Sequence, residues 1–430
     1  MNFKKIEFYF SLLIFLIIFL TLVLNIYSLN FSYFDLGIFI NSQDTKTFDA
    51  YQRYYILYLI NNLFDFDKKN FGIFLIFSQY FIFIIIYLHF YRNSPNKYLS
   101  FFFLINLNFL YTVFFDFHFE FYLVLLILIF VETKKNTLRL FIIFILPFIK
   151  DIYFFISIGM YIYLFLKYKK KHKFFLFIFL LSVTFLLIRN YSYILNTFSY
   201  YSFNYKFLFK QFLYLLIILF PFFIFFEKNI FKNKIYLLGL PYIIFLFAYN
   251  NPNYFKFYYH YLIPITFVLF LAFFKFKITS INKRIIIFIV AIHFGLSPLI
   301  GFPVSLVFKD TNIYYKNILT IANSSFIKEV KNKKNNVAYI QNNFFSPILY
   351  SYFKNVKVLD DQIFTKISIG DVIILNKNKN LFIEDKKCKI NTDNTGDEIC
   401  IEFIKKIRKK FKILYEYENI IVFENMKINT

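Results

Sequence analysis

The sequence predicts an α-helical polytopic membrane protein of about eleven transmembrane helices, with a small α/β extracytoplasmic domain at its carboxyl-terminal end. Three observations predict it. From Phe8 to about Leu306, apolar runs recur that are long enough to cross roughly 30 Å of hydrocarbon, helped by tilt where a run is short. Short polar segments separate the runs, and every second one is rich in Lys and Arg: Lys4-Lys5, Arg92 to Lys97, Lys134 to Arg139, Lys167 to Lys173, Lys228 to Lys234 and Lys275 to Arg284, with only Glu7, Glu132 and Glu227 as carboxylates beside them. Beyond residue 306 the apolar runs shorten and charges interleave.

The expected crossings are 8–27, 71–90, 98–115, 119–131, 138–149, 151–166, 174–188, 207–226, 235–249, 257–274 and 285–306. The runs at 119–131 and 138–149 are short, so re-entrant or strongly tilted segments are expected there. Lys and Arg concentrate in cytoplasmic loops, which puts the amino terminus on the cytoplasmic side of the cytoplasmic membrane; an odd number of crossings sends residues 307–430 outside. The first run lacks a small-residue cleavage site and reads as a retained helix rather than a removed signal peptide. Pro147, Pro221, Pro241 and Pro264 interrupt apolar runs without pairing into two halves. They read as kinks rather than as marks of a repeated transporter fold.

Two domains are therefore expected, 1–306 in the membrane and 307–430 in water. In the second, Val337-Ala-Tyr-Ile-Gln341, Val356-Lys-Val-Leu359, Asp371-Val-Ile-Ile-Leu375 and Ile420-Ile-Val-Phe423 read as strands. Segments 346–353 and 398–412 read as helices, the latter with a basic face at Lys405, Lys406, Lys409 and Lys410, which favours a small α/β sandwich. No glycine-rich phosphate loop occurs in it, so a nucleotide site is not expected. Cys388 and Cys400 flank a turn-forming Asn391-to-Gly396 stretch, which suits either a hairpin disulfide in an oxidising compartment or two reduced thiols.

A hydrophobic content of 59% with mean hydropathy +0.56 excludes an ordinary soluble enzyme. The net charge of +24 resembles that of a nucleic-acid binder, but most of the excess falls in the alternate loops. It is topological signal and attraction to anionic headgroups, and no nucleic-acid partner is expected. With 71 Phe, 37 Tyr and no Trp, the aromatic content follows a coding bias toward A/T-rich codons, so aromatic stripes point to packing rather than to a binding surface.

Polar groups gather at the expected outer ends of the helices. The first cluster is Asp35, in Phe34-Asp35-Leu-Gly-Ile-Phe39, with Gln43 and Asp44 following. A carboxylate between aromatic residues at a membrane surface is partly desolvated and becomes a better base, unless it is a solvated loop residue. In the second, Asp116-Phe-His118-Phe-Glu120, an extended turn puts the three ionisable groups on one face and Phe117 and Phe119 on the other. Such a trio can bind a divalent cation or hold a phosphate through protonated His118; otherwise it is a polar turn that caps two helices. The third cluster is Lys150-Asp151, which either pairs internally or joins a site. The fourth is Lys256 and His260 amid tyrosines, suited to grip a phosphate headgroup or to sit in an interfacial aromatic belt. Arg189 adds another outer cation. No Ser/His/Asp order, HExxH or P-loop pattern competes with these clusters.

At these same residues the chain resembles a family of polytopic membrane proteins known as domain of unknown function 2079. The resemblance rests on the Phe34-to-Phe39 stretch, Asp116-Phe-His118-Phe-Glu120, Lys150-Asp151, and Tyr259-His260-Tyr261 before a proline-containing helix. Further along it includes Val337-to-Gln341, Ser346-Pro347 and Asp371-to-Leu375. The family's His-Pro-Glu order stands here as His-Phe-Glu, and Lys150 precedes Asp151 where the family has an acidic pair. That family is similar to the GT-C superfamily of membrane glycosyltransferases. The resemblance thus implies a GT-C-like membrane domain, an extracytoplasmic terminal domain, polyprenyl-phosphate sugar donors and a catalytic carboxylate in the first outer loop, at Asp35.

The expected function is transfer of a sugar from a polyprenyl-phosphate donor on the outer face of the cytoplasmic membrane, to an acceptor the sequence does not name. Asp35, Asp116, His118 and Glu120 form the expected catalytic set, with a divalent cation as an optional cofactor. Gln43, Asp44, Lys150, Asp151, Arg189, Lys256 and His260 are the expected substrate-binding set, the cations opposing charge on the departing lipid phosphate. A transporter or flippase of lipid-linked intermediates and a non-catalytic membrane scaffold are the alternatives.

Overall fold

The computed structural model describes residues 3–27, 67–95, 98–115, 117–167, 233–249, 260–274, 335–340, 347–358, 367–376, 411–417 and 420–425, with isolated positions between them. The helices among them are α1 (Phe3–Tyr27), α2 (Lys68–Asn93), α3 (Leu99–Leu104), α4 (Leu107–Phe115), α5 (Glu120–Glu132), α6 (Asn136–Ile149), α7 (Phe154–Lys167), α8 (Leu240–Tyr249) and α9 (Ile263–Phe274). The strands are β1 (Val337–Ile340), β2 (Asn355–Val358), β3 (Val372–Asn376), β4 (Lys412–Tyr417) and β5 (Ile420–Glu424). The chain divides into two compact units, one comprising Met1–Ile18, Phe48–Leu63 and Ser78–Asp310, the other Phe19–Thr47, Phe64–Phe77 and Thr311–Thr430.

This architecture corrects the expected polytopic, GT-C-like membrane fold of about eleven spanning helices. Among the described residues two helices are long and apolar enough to cross a membrane, Lys4–Val23 and Lys68–Asn93. The other described runs form shorter helices. The run at 98–115 divides into α3 and α4, because the Asn106 side chain accepts the Asn108 and Phe109 amides at 3.1 and 3.4 Å and caps a new helix. Those at 119–131 and 138–149 form α5 and α6, of 13 and 14 residues. The runs at 151–166, 235–249 and 257–274 each contain a short 3₁₀ turn that leaves α-helices of 14, 10 and 12 residues. At 1.5 Å per residue, fourteen residues reach only about 21 Å, short of the hydrocarbon thickness. Hydropathy reads such runs as spans because an apolar residue facing another helix scores like one facing lipid. In α9 every residue but Leu269 is buried. The expected crossings at 174–188, 207–226 and 285–306 lie outside the described residues, apart from isolated positions.

The helical unit is packed through phenylalanine. Phe109 of α4 meets Phe103 of α3 at 4.7 Å, Phe121 of α5 at 6.0 Å and Phe270 of α9 at 6.3 Å between ring centroids. Phe83 and Phe90 of α2 close the same cluster, against Phe103 and, for Phe90, Phe267 and Phe274. Offset and edge-on geometries dominate, and such pairs add about 0.5–1.5 kcal/mol each beyond burial. Polar side chains inside this core serve the backbone. Buried Arg139 of α6 donates from Nε to the Phe130 carbonyl at 3.1 Å, from Nη1 to Asn136 at 3.3 Å and from Nη2 to the Thr133 carbonyl. It thereby satisfies orphan carbonyls at the end of α5.

The second unit contains a five-stranded mixed sheet in the order β2-β1-β3-β5-β4. β1 runs parallel to β2 and β3, while β5 runs antiparallel to β3 and β4. β3 is central and its Val372 to Leu375 are fully buried, as a near-continuous β-branched run should be. Asp371, at its start, is buried and accepts the Val337 and Ser368 amides at 2.9 and 3.1 Å. Burial, with the Asp371 charge as the smaller cause, pushes the Tyr339 hydroxyl pKa up. The expected strands at 337, 356, 371 and 420 coincide with β1, β2, β3 and β5. The expected helix at 346–353 is a 3₁₀ turn, Pro347–Ser351. At the end of the other expected helix, 398–412, Lys412 instead opens β4; Lys405, Lys406, Lys409, Lys410 and both cysteines lie outside the described residues.

One glycine is fixed by close approach. A Cβ on Gly159 of α7 would lie 2.2 Å from the Leu238 carbonyl oxygen, in the 3₁₀ turn Lys234–Leu238. Backbone on both sides leaves no flexible atom to yield. Gly159→Ala is therefore expected to destabilise the protein by about 1–3 kcal/mol through overpacking. Gly239→Ala, whose Cβ would meet Val268 no closer than 3.7 Å, should cost under about 1 kcal/mol. Chemical unfolding of both variants in the same detergent checks this, and equal midpoints would contradict the close contact.

Candidate functional site

The first turn of α5, the end of α6 and the 3₁₀ turn His260–Leu262 converge in the helical unit. Residues 117–119 link α4 to α5, with Phe117 and Phe119 packed against each other at 4.9 Å, and Glu120 begins α5. The chain is already helical at Phe119 (φ −63, ψ −17), so the expected extended turn is absent there, yet His118 and Glu120 reach the same place. Lys150 ends α6 in an extended conformation (φ −155, ψ 133), which turns its side chain away from the helix. His260 precedes α9 and is buried.

Glu120 has no exposed surface, and its Oε1 accepts a hydrogen bond from Lys150 Nζ at 2.7 Å. His260 Nε2 lies 3.8 Å from the same oxygen. The His118 and His260 rings stack with centroids 3.9 Å apart and planes at 27°, and Tyr261 lies 4.0 Å from the His260 ring. Lys150 Nζ also sits 5.4 Å from the Tyr261 ring and 5.9 Å from that of Tyr153, whose electron-rich faces replace part of the ammonium's lost hydration. The arrangement offers a fixed anion, a fixed cation and two imidazoles that can exchange a proton. His118, Glu120 and His260 each also place one potential metal-ligand atom within 4.8 Å of the others.

Gln79, in the middle of α2, holds the turn. Buried among apolar residues, it accepts the His118 amide at 2.7 Å through Oε1 and donates from Nε2 to the Thr112 carbonyl at 3.1 Å. Sequence reasoning did not select Gln79; its signal is an uncharged polar residue at the centre of a run apolar enough to cross a membrane. Tyr153 and Tyr261, likewise not selected, carry no signal in so tyrosine-rich a chain.

Of the expected site residues, the structure thus brings together His118, Glu120, Lys150 and His260. Asp35, Gln43, Asp44, Asp116, Arg189 and Lys256 lie outside the described residues, and Asp151 is described only as the backbone that opens the 3₁₀ turn Asp151–Tyr153. His89 does not join the cluster: its ring packs 5.2 Å from Phe274 and its Nδ1 faces Asn93 at 3.3 Å. No family model, curated protein or solved structure matches the chain.

Glu120 is fully buried and its partner Lys150 nearly so, which sets a test. Removing one partner leaves an unpaired charge, so Lys150→Met and Glu120→Gln should each destabilise by about 3–5 kcal/mol, and the double variant by much less than their sum. A double-mutant cycle from unfolding midpoints measures the difference; additive losses would mean that the two groups do not interact.

Proposed function

We propose that the chain is a membrane-associated enzyme that transfers a sugar from a polyprenyl-phosphate donor to an acceptor hydroxyl, with His118, Glu120, Lys150 and His260 at its centre. The observation that carries this reading is the single buried carboxylate shared by an ammonium at 2.7 Å and an imidazole at 3.8 Å. In the transfer, the acceptor oxygen forms a bond to the sugar's anomeric carbon as the bond from that carbon to the phosphate oxygen breaks. An imidazole of the stacked pair takes the hydroxyl proton, and Glu120 stabilises the imidazolium that forms. Lys150 opposes the negative charge that develops on the departing lipid phosphate.

A lipid-borne donor suits the helices. The face of α1 bearing Tyr9, Leu13, Leu16 and Leu20 is apolar and exposed, with Tyr9 at 60% and Leu16 at 54%. Such a contiguous stripe favours contact with acyl or prenyl chains over water. Lys4 and Lys5, at the start of α1, favour a cytoplasmic amino terminus. Asp35 is the second carboxylate to test, since the resemblance described above places a catalytic acid there.

Incubating the purified full chain in lipid with a panel of polyprenyl-phosphate sugars should release polyprenyl phosphate. His118→Ala, Glu120→Gln and Asp35→Asn should each lower the rate by about 10²- to 10⁴-fold. No release from any donor by an intact wild-type chain, or full turnover by Glu120→Gln, would remove the basis for this reading.

A further inference from the structure

We propose that His118, Glu120 and His260 form a binding site for one divalent transition-metal ion of the zinc class. The donor set is two imidazoles and one carboxylate, the mixed nitrogen and oxygen set that zinc takes in sites with three protein ligands. The three ligand atoms already lie within 4.8 Å of one another, although the residues come from the α4–α5 turn, the first turn of α5 and the turn before α9. A second, independent observation points to a cation. Glu120 is fully buried, and while Oε1 takes the Lys150 hydrogen bond, Oε2 has no hydrogen-bond partner among the described residues. A desolvated carboxylate oxygen left without a donor is costly, and a metal ion on Oε2 satisfies it while Lys150 keeps Oε1.

The surroundings match what metal sites require beyond their ligands. Lys150 fixes the carboxylate's orientation from outside the ligand set, and Gln79 pins the His118 backbone at 2.7 Å. Two imidazoles disfavour magnesium, which demands octahedral oxygen ligands, and favour zinc or cobalt. Coordination requires the His118 and His260 rings to turn out of their 3.9 Å stack so that their nitrogens converge on one point, a rotation about soft terminal torsions. Three protein ligands leave a fourth position open, as in zinc centres that bind water or substrate.

The test uses the untagged full chain in detergent and the metals alone as probes. After incubation with zinc chloride and desalting, elemental analysis should find about one zinc per chain, and magnesium chloride should leave none. Cobalt(II) should give the intense visible absorption of a four-coordinate site. His118→Ala, Glu120→Gln and His260→Ala should each lose the stoichiometric zinc and the cobalt spectrum. Gln79→Leu, which changes only the outer support, should weaken affinity by about 10- to 100-fold. His260→Cys guards against a variant that merely misfolds, because it should retain cobalt and add a sulfur-to-metal charge-transfer band. A wild-type chain that holds no zinc, or ligand variants that keep it at full stoichiometry, overturns the proposal. Metal content is read without any donor substrate, so zinc binding without sugar release would support this site while removing the sugar-transfer reading.

Discussion

Glu120 has no accessible surface, and the way its charge is held constrains everything around it. Moving a carboxylate from water into a medium of low dielectric constant costs of order 20 kcal/mol in the idealised limit and several kcal/mol in real proteins. The start of α5 can be buried only if a cation arrives there, and Lys150 arrives because α6 ends one residue earlier, at Ile149. The Lys150 ammonium is nearly as buried as its partner, so it in turn needs Tyr153 and Tyr261, which ties the turn before α9 to the same point. His260 follows from Tyr261 by adjacency, and the stacked imidazoles follow from His260 and His118.

The rest of the helical unit is arranged so that this charged centre coexists with a phenylalanine core. Short helices make that possible, since polar side chains take over unpaired backbone at several of their ends. Asn106 starts α4, Arg139 finishes α5, Asn233 accepts the Ile235 amide at 3.1 Å ahead of α8, and Gln79 bridges α4 to the His118 turn. None of these groups faces water to advantage, and each replaces hydrogen bonds that a longer, uninterrupted helix would have made within itself. Arg139 illustrates the double meaning of a basic residue: in the sequence it adds to a pattern of orienting charge, while in the structure it is a buried clasp.

What could be read from the residues divides along physical lines. The β-branched runs at 337, 356, 371 and 420 are local signals, and strands form there. β4 escaped because Lys412-Ile-Leu-Tyr-Glu-Tyr417 interleaves charge with apolar residues and continues a segment with helical periodicity. The ionisable density of residues 116–120 marked His118 and Glu120 without any contact information. That Lys150 and His260 join them was not legible, because nothing local ties residues separated by 30 and by well over a hundred positions. The count of crossings failed for a different reason: hydropathy measures how unwelcome water is, and a phenylalanine ring in the core of α9 excludes it as well as one in a bilayer.

Charge balance links the site to the kind of molecule it can take. With Glu120 ionised, Lys150 protonated and both imidazoles neutral, the cluster is electrically neutral and needs no counterion. A divalent ion on Glu120 Oε2 would leave a surplus of two positive charges in surroundings that screen them poorly. Such a centre is stable only while water, hydroxide or an anion occupies the open coordination position, and an anion answers the surplus best. A phosphate ester carries that charge in a form that bridges a metal ion and a lysine ammonium at once.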